Sequence, residues 1–347
     1  MSHHETDPTQ DEQTAQDTGI SLLQTEDSFS TLRTIRHILR KLTSKNYYSA
    51  RVYHRLCLYL ANLNRQELLL VFQMGKVGSS TVVSSLEGSG LGMPVYHVHF
   101  LSQRLLVENE RQFREQFWPN RIGKCRHLWN YQYLRRQVDR GPTGKRWKIV
   151  TLSREPIARN ISAFFENLEI EFLNATSDPE KAKYKVSSTY GFEVTITAKD
   201  IEALVDLFFE KFDHDTPLVF FDRELNGVFG VDVYADEFPM LKGYKIYEGE
   251  NADVLLIRLE SLNDCATDAF REFLGIEEFR LINRNIGKNK AYAAFYREFK
   301  DRIVLPVVYL DKMYGSKYMQ QFYSEHEIAT FRTKWASVNR CLARIKD

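Results

Sequence analysis

The sequence predicts a three-layer α/β fold, a mainly parallel sheet with helices on both faces, and two stretches carry that expectation. The first is Leu68-Leu-Leu-Val-Phe-Gln-Met-Gly-Lys-Val-Gly-Ser-Ser-Thr-Val-Val83, an apolar run of strand length that passes through glycines and hydroxyls into a helix-like segment. The second, Lys148-Ile-Val-Thr-Leu-Ser-Arg-Glu-Pro-Ile-Ala-Arg-Asn-Ile-Ser-Ala-Phe-Phe165, repeats the scheme. A buried strand that opens through a tight turn into a helix is the unit from which parallel sheets are built.

In the first stretch Gly75 and Gly78 allow the backbone to approach a ligand closely, with Val77 between Lys76 and Gly78. Ser79, Ser80 and Thr81 are expected to cap a helix running through Val82, Val83 and Leu86, so that N–H groups and the positive end of the dipole face an anion. Lys76 adds a mobile charge for a phosphate or sulfate oxygen. A nucleotide triphosphatase loop needs Lys-Ser/Thr directly after its last glycine, whereas this lysine lies before Gly78. The arrangement resembles the 5′-phosphosulfate loop of sulfotransferases, Pro-Lys-(Ser/Thr/Ala)-Gly-Thr-Thr. That resemblance implies that Gly75, Lys76, Val77, Gly78, Ser79, Ser80 and Thr81 hold 3′-phosphoadenosine 5′-phosphosulfate (PAPS), with Lys76 catalytic. The alternative is an ordinary strand-to-helix turn rich in glycine and serine.

The second stretch places Arg154 at a strand end and Ser162 about two helical turns on. It resembles the 3′-phosphate element of the same family, Arg-(Asp/Asn)-Pro-x-x-Arg-x-x-Ser, with Glu155 in place of Asp or Asn. Arg154 can fork onto a phosphate and Ser162 can donate a hydroxyl. The plain alternative, a proline-started helix with a structural arginine, accounts for Pro156 but not for the pairing with the first loop.

Lys plus Arg at 47 against Asp plus Glu at 46 gives a net charge of +1, so no global field recruits nucleic acid or an anionic membrane. Cys57, Cys125, Cys265 and Cys341 are scattered, form no Cys-x-x-Cys pair, and read as reduced packing residues, with no metal site implied. No apolar run is long enough to span a bilayer, and the N-terminus lacks the basic start and apolar stretch of a signal peptide. The expectation is a bacterial cytoplasmic enzyme.

Taken in order, residues 1–26 are polar and expected to be disordered. Residues 27–66 carry apolar positions at helical spacing (Leu32, Ile35, Leu39, Leu42, then Val52, Leu56, Leu60) with basic residues between, which predicts two amphipathic helices. They read as a solvated face, as a basic surface for an acidic acceptor or lipid head groups, or as a surface on which two copies could associate. Residues 67–347 are expected to form the α/β domain.

Met93–Leu101 alternates as a strand, with His97 and His99 on one face. It is similar to the Glu-x-His-Phe-Phe of glycosaminoglycan 3-O-sulfotransferases, whose catalytic glutamate falls on His97 and whose histidine falls on His99. Arg121–Trp129 resembles the Pro-Arg-x-x-Lys-x-His-Leu-Pro of cytosolic sulfotransferases, which places a general base at His127. His97, His99 and His127 are therefore the candidate bases, weighed against ordinary histidines satisfied by backbone partners.

Residues 169–197 read as a polar excursion where an acceptor site could be built, followed by a helix capped by Thr197. Pro217–Asp222 and Asp253–Glu260 read as buried strands, and the second, with Ser261-Leu262 and the segment from Ala269 to Gly275, resembles the strand, turn and Phe-Leu-Gly helix that follow in sulfotransferases. Asn283–Tyr292 is a basic loop in which Lys288 and Lys290 could face the 3′-phosphate. The C-terminal segment from Met313 to Trp335 resembles the bacterial capsular polysaccharide synthesis group of sulfotransferase-like proteins. The resemblance implies transfer of a sulfuryl group from PAPS to a hydroxyl of a carbohydrate, in a P-loop-type sulfotransferase fold. The rival readings are a non-catalytic binding module in polysaccharide biosynthesis and an ATP-dependent kinase.

Overall fold

The computed structural model describes residues 46–65, 67–141, 146–173, 183–188, 191–197, 201–282 and 293–343. The expected tail at 1–26 and the first of the two amphipathic helices lie outside the described residues, as do Lys288 and Lys290. The chain divides into two compact units, one taking the residues up to Asn64 together with Val107–Tyr133, the other taking Arg65–Leu106 and Leu134 onward.

In the first unit, helix α1 (Tyr47–Asn62) is capped by Asn46, whose side chain accepts from the N–H of Tyr48 at 2.9 Å. The unit's core is aromatic: Tyr47, Phe117 and Trp129 pack with Ala50 and Cys125.

The second unit is built on a five-stranded sheet. Its strands are β1 (Glu67–Phe72), β2 (Val95–Val98), β3 (Arg146–Ser153), β7 (Tyr244–Glu248) and β8 (Ala252–Arg258), in the order β2-β1-β3-β8-β7. All neighbours are parallel except β7, which runs antiparallel to β8 at the edge. β8 is buried along its whole length and β1 along all but its first residue, as expected of strands covered on both faces.

One face is covered by residues 216–229, where Phe72 meets Phe220 at 5.5 Å and Trp147 meets Phe229 at 5.6 Å between ring centroids. Helices α2 (Ser79–Gly88) and α8 (Leu262–Leu274) belong to the other face: α8 places Phe273 5.0 Å from the Lys148 ammonium, and Gly78, at the start of α2, sits against Leu259 and Leu152. Between them in the chain come α3 (Gln103–Gln112), α4 (Ile122–Asp139), α5 (Pro156–Glu166), α6 (Ile201–Lys211) and α7 (Thr216–Phe220). After α8 follow α9 (Ala293–Arg302), α10 (Val307–Tyr314), α11 (Lys317–Phe322) and α12 (Glu325–Ala343).

Three expectations are corrected. Pro217–Asp222 is helical rather than a strand, because Pro217 occupies the first turn of α7, where its missing N–H costs nothing, and a short apolar run has no period that separates helix from strand. The polar stretch 169–197 contains a second sheet, antiparallel β4-β5-β6 (Leu168–Phe172, Lys183–Ser188, Glu193–Thr197). Thr197 ends β6, and α6 begins at Ile201, so Thr197 is not that helix's cap.

At the starting end of the central strands, Asp253 on β8 receives hydrogen bonds from Arg146 and from Lys148 at 3.0 Å, both on β3. Burial works to raise the Asp253 pKa, but the two cations outweigh it and hold the carboxylate below its ordinary value. The stabilisation is therefore present above the unfolded carboxylate pKa of about 3.9 and is lost as pH falls through the lower folded value. Asp253→Asn is expected to cost about 1–3 kcal/mol in urea unfolding at pH 7, with the gap to the wild type closing in acid. A gap that stays constant down to acid pH would contradict this assignment.

Candidate functional site

The loop from Gln73 to Gly78 joins β1 to α2 at the carboxyl edge of the sheet, where ligands of open α/β sheets bind. Two of its residues take the left-handed region, Lys76 at φ 72° and Gly78 at φ 92°. An alternation of this kind turns successive N–H groups toward one side and makes an anion-binding concavity. A lysine there is strained, and such strain persists only where surrounding structure enforces it.

Two arginines enforce it. Arg159 Nε donates to Gly75 O at 3.0 Å, and Arg154 Nη1 donates to Lys76 O at 2.6 Å. Because a trans peptide points its N–H opposite to the preceding carbonyl, fixing those two oxygens directs the N–H groups of Lys76 and Val77 away from the guanidinium groups. The first-turn N–H groups of α2 continue the series.

The N-cap of α2 is Gly78, and no side chain caps the helix, so Ser79 and Ser80 are first-turn residues and Thr81 follows them, its N–H bonded to Gly78 O at 3.1 Å. This corrects the expectation that these hydroxyls cap the helix. The left-handed backbone at the cap favours glycine, and a Cβ at Gly78 would also lie 2.6 Å from Leu259 Cδ1. Lys76 extends its ammonium to Glu166 Oε2 at 3.2 Å, at the far end of α5. Both side chains reach solvent, so this is an exchangeable surface pair rather than a buried one.

Arg154 is itself held through its backbone. Its N–H donates to Tyr318 Oη at 2.8 Å, and that hydroxyl donates to Arg154 O at 2.9 Å. Glu155 caps α5 by accepting from the N–H groups of Ile157 and Ala158, and it also accepts from Tyr314 Oη at 2.9 Å. Its longer side chain thus serves the capping role of an Asp or Asn. Burial pushes the Glu155 pKa up, against the pull of those three donors. Glu260, after β8, accepts from the Glu155 N–H at 2.9 Å and from Tyr323 Oη at 3.0 Å. Ser162 lies half-buried on α5, two turns beyond Arg154 and one turn before Glu166.

His97 and His99 share one face, as the alternation predicts, with ring centroids 4.6 Å apart. His97 pairs in register with Val71, so the Gln73 side chain shares that face by alternation. His99 Nδ1 donates to Gln73 O at 3.0 Å, since a carbonyl can only accept, and in the neutral ring Nε2 is then the nitrogen able to take a proton. Gln73 is fully buried at the root of the loop, and neither end of its side-chain amide is hydrogen-bonded among the described residues. His127 is exposed on α4 in the first unit, where desolvation by surrounding protein still lowers its pKa.

The structure thus brings Lys76, Val77, Gly78, Arg154, His97 and His99 to one end of the second unit, with His127 in the other unit. Tyr314, Tyr318 and Glu260 escape motif reading because Tyr318 and Glu260 meet the backbone of Arg154 and Glu155, and Tyr314 the Glu155 carboxylate, from far along the chain. The sequence signal for the tyrosines is their four-residue spacing in an otherwise polar segment.

The residues present offer partners to an oxyanion such as a phosphate or sulfate: oriented amide donors, a mobile lysine, an arginine with donors beyond the one spent on Lys76 O, and the Gln73 amide, unsatisfied among the described residues. Among the described residues, no helix is long and apolar enough to cross a membrane.

Residues 193–324 match a family described as "Putative capsular polysaccharide synthesis protein" (NKWYS). The match covers well under half of the chain, includes Glu260, Tyr314 and Tyr318, and excludes the 75–81 loop and Arg154. No curated protein and no solved structure matches the chain.

Lys76→Gly and Lys76→Ala both remove the ammonium, but only the alanine retains a Cβ in the left-handed region. The glycine variant is expected to be the more stable by about 1 kcal/mol in thermal or urea unfolding. Equal stability would mean that the loop relaxes once Lys76 is gone.

Proposed function

We propose that the chain is a sulfotransferase that moves a sulfuryl group from PAPS to a hydroxyl of a saccharide, with a capsular glycan as the acceptor class. The observation that carries this reading is the 75–81 loop, whose carbonyls are tied by Arg154 and Arg159 so that its amides form an anion cradle beside a lysine. The similarity of residues 193–324 to a capsular polysaccharide family supports the acceptor class.

The donor supplies an activated sulfuryl group; its bond to the 5′-phosphate oxygen breaks as one to the acceptor hydroxyl oxygen forms. Charge then gathers on the departing phosphate oxygen. Lys76 exchanges Glu166 for that oxygen, and the loop amides, already oriented, stabilise it without reorganising. His99 takes the acceptor's proton on Nε2, its other nitrogen being anchored to Gln73 O. Because Gln73 opens the loop itself, base and cradle share one stretch of backbone, which limits their relative motion. Arg154 and Ser162 hold the nucleotide in register.

The kinase reading has less support, because the lysine precedes the last glycine and no hydroxyl stands directly after a lysine to hold magnesium.

Incubation with sulfur-35-labelled PAPS and a panel of bacterial capsular polysaccharides is expected to label at least one acceptor. Lys76→Ala should lower the rate about 10²–10³-fold. His99→Ala should lower it by about 10²-fold or more, while His127→Ala leaves it near the wild-type level. Transfer of label from ATP gamma-phosphate instead would overturn the reading in favour of a kinase, and tight PAPS binding without turnover on any acceptor would favour a binding module.

A further inference from the structure

The apolar residues of α1 divide between two faces. On one, Tyr47 and Ala50 are buried, Tyr47 meets Trp129 at 5.4 Å between ring centroids, and His54 Nε2 lies 2.7 Å from Asn130 Oδ1. That face fixes the helix in the first unit. On the other, Tyr48, Val52, Leu56, Tyr59, Leu60 and Leu63 recur at spacings of three and four and form one continuous stripe. Their exposure runs from 46 % at Tyr59 to 63 % at Val52. At 1.5 Å per residue the stripe is about 22 Å long. Contiguous exposed apolar surface of this kind marks a contact site, unlike apolar residues scattered singly.

The charge around the stripe decides what it fits. From Ser28 to Gln66 the chain has eight Lys and Arg and no Asp or Glu. The net charge of +1 conceals this, because residues 1–27 carry seven Asp and Glu with no Lys or Arg. The first unit's other segment, Val107–Tyr133, adds five Lys and Arg against three Glu. Arg114, from that segment, donates to Tyr48 Oη at 2.9 Å and so stands at one end of the stripe. Arg55 borders it, three residues from Val52 and four from Tyr59. A second copy on this face would bring like charge to like, with no acid on α1 to pair across the seam, and a nucleic acid would leave the apolar stripe unmatched. An anionic lipid surface matches both features, its acyl chains taking the stripe and its head groups the basic rim. At 16 residues, α1 is shorter than the roughly 20 that span a bilayer, so it would lie in the plane of the surface.

We propose that α1 is a membrane-surface helix, whose exposed stripe enters the head-group boundary of an anionic phospholipid bilayer while Arg55, Arg114 and the basic residues that precede α1 meet the lipid phosphates. Tyr48 and Tyr59 suit that boundary, where an amphipathic ring keeps its hydroxyl among the head groups. Affinity then has two separable sources, apolar insertion and charge, and salt screens the second. The assignment is independent of the sulfotransferase reading, since it uses no residue of the 75–81 loop or of the histidine pair.

The test is co-sedimentation of the full chain with phosphatidylcholine vesicles, with and without phosphatidylglycerol as about a third of the lipid. The wild type is expected to bind the anionic vesicles at least about tenfold more tightly than the neutral ones, and less tightly as salt is raised. The double substitution Val52→Ser, Leu56→Ser removes apolar surface that already faces water, so thermal unfolding should be unchanged while vesicle binding falls at least about tenfold. Arg55→Gln should lose about fivefold on the anionic vesicles alone. No vesicle binding by the wild type, equal binding to the two lipids, or a serine variant that binds as the wild type does would each overturn the proposal. A wild type that is dimeric in lipid-free buffer, with a serine variant that is monomeric, would overturn it in favour of a second copy on the stripe.

Discussion

The second unit depends on two guanidinium groups bonded to two consecutive carbonyls. Arg159 and Arg154 hold the oxygens of Gly75 and Lys76 toward α5, and peptide planarity then sends the following N–H groups the other way. Without those bonds, a non-glycine residue with φ of 72° has little reason to stay in the left-handed region. The loop's capacity to meet an anion is thus set by the helix facing it rather than by the composition of the loop alone.

That dependence passes outward through the fold. Arg159 is nearly fully buried, and its Nη1 donates to the side-chain oxygen of Asn160, whose amide in turn donates to His214 O at 3.0 Å. Arg154 is positioned by Tyr318, and Glu155 by Tyr314 and Glu260, so segments more than a hundred residues downstream fix the geometry of the loop-facing turn. Such hydrogen bonds are each modest in net energy, but leaving a buried partner unsatisfied costs about 1–3 kcal/mol, which makes the set hard to break piecemeal. The match to the capsular polysaccharide family includes Glu260, Tyr314 and Tyr318 but neither the loop nor the arginines that tie it. The supporting frame and the anion cradle are therefore separate pieces of sequence that meet only in the folded chain.

Much of this was legible from sequence where physics is local. β1 and β3 are apolar runs bounded by turn residues, and β8 is another, so strand and boundary agree with pattern. The shared face of His97 and His99 follows from a period of two, and Gly275 closes α8 in the left-handed conformation. What local pattern does not carry is tertiary. Leu218-Val-Phe-Phe221 is equally apolar as strand or helix, and only the proline before it favours helix. The strands at 168–197 are polar because their sheet is partly exposed, which hides them from a search for apolar alternation. The role of Tyr318 cannot be seen in its neighbours, since its partner lies at Arg154.

The most direct measurement of the cradle is a crystal structure of the chain with adenosine 3′,5′-bisphosphate. The arginine-tied loop predicts the 5′-phosphate within hydrogen-bond distance of the amides of Val77 to Ser80, with Lys76 turned from Glu166 onto a phosphate oxygen. A nucleotide bound elsewhere, with the loop and the Lys76–Glu166 pair unchanged, would contradict it.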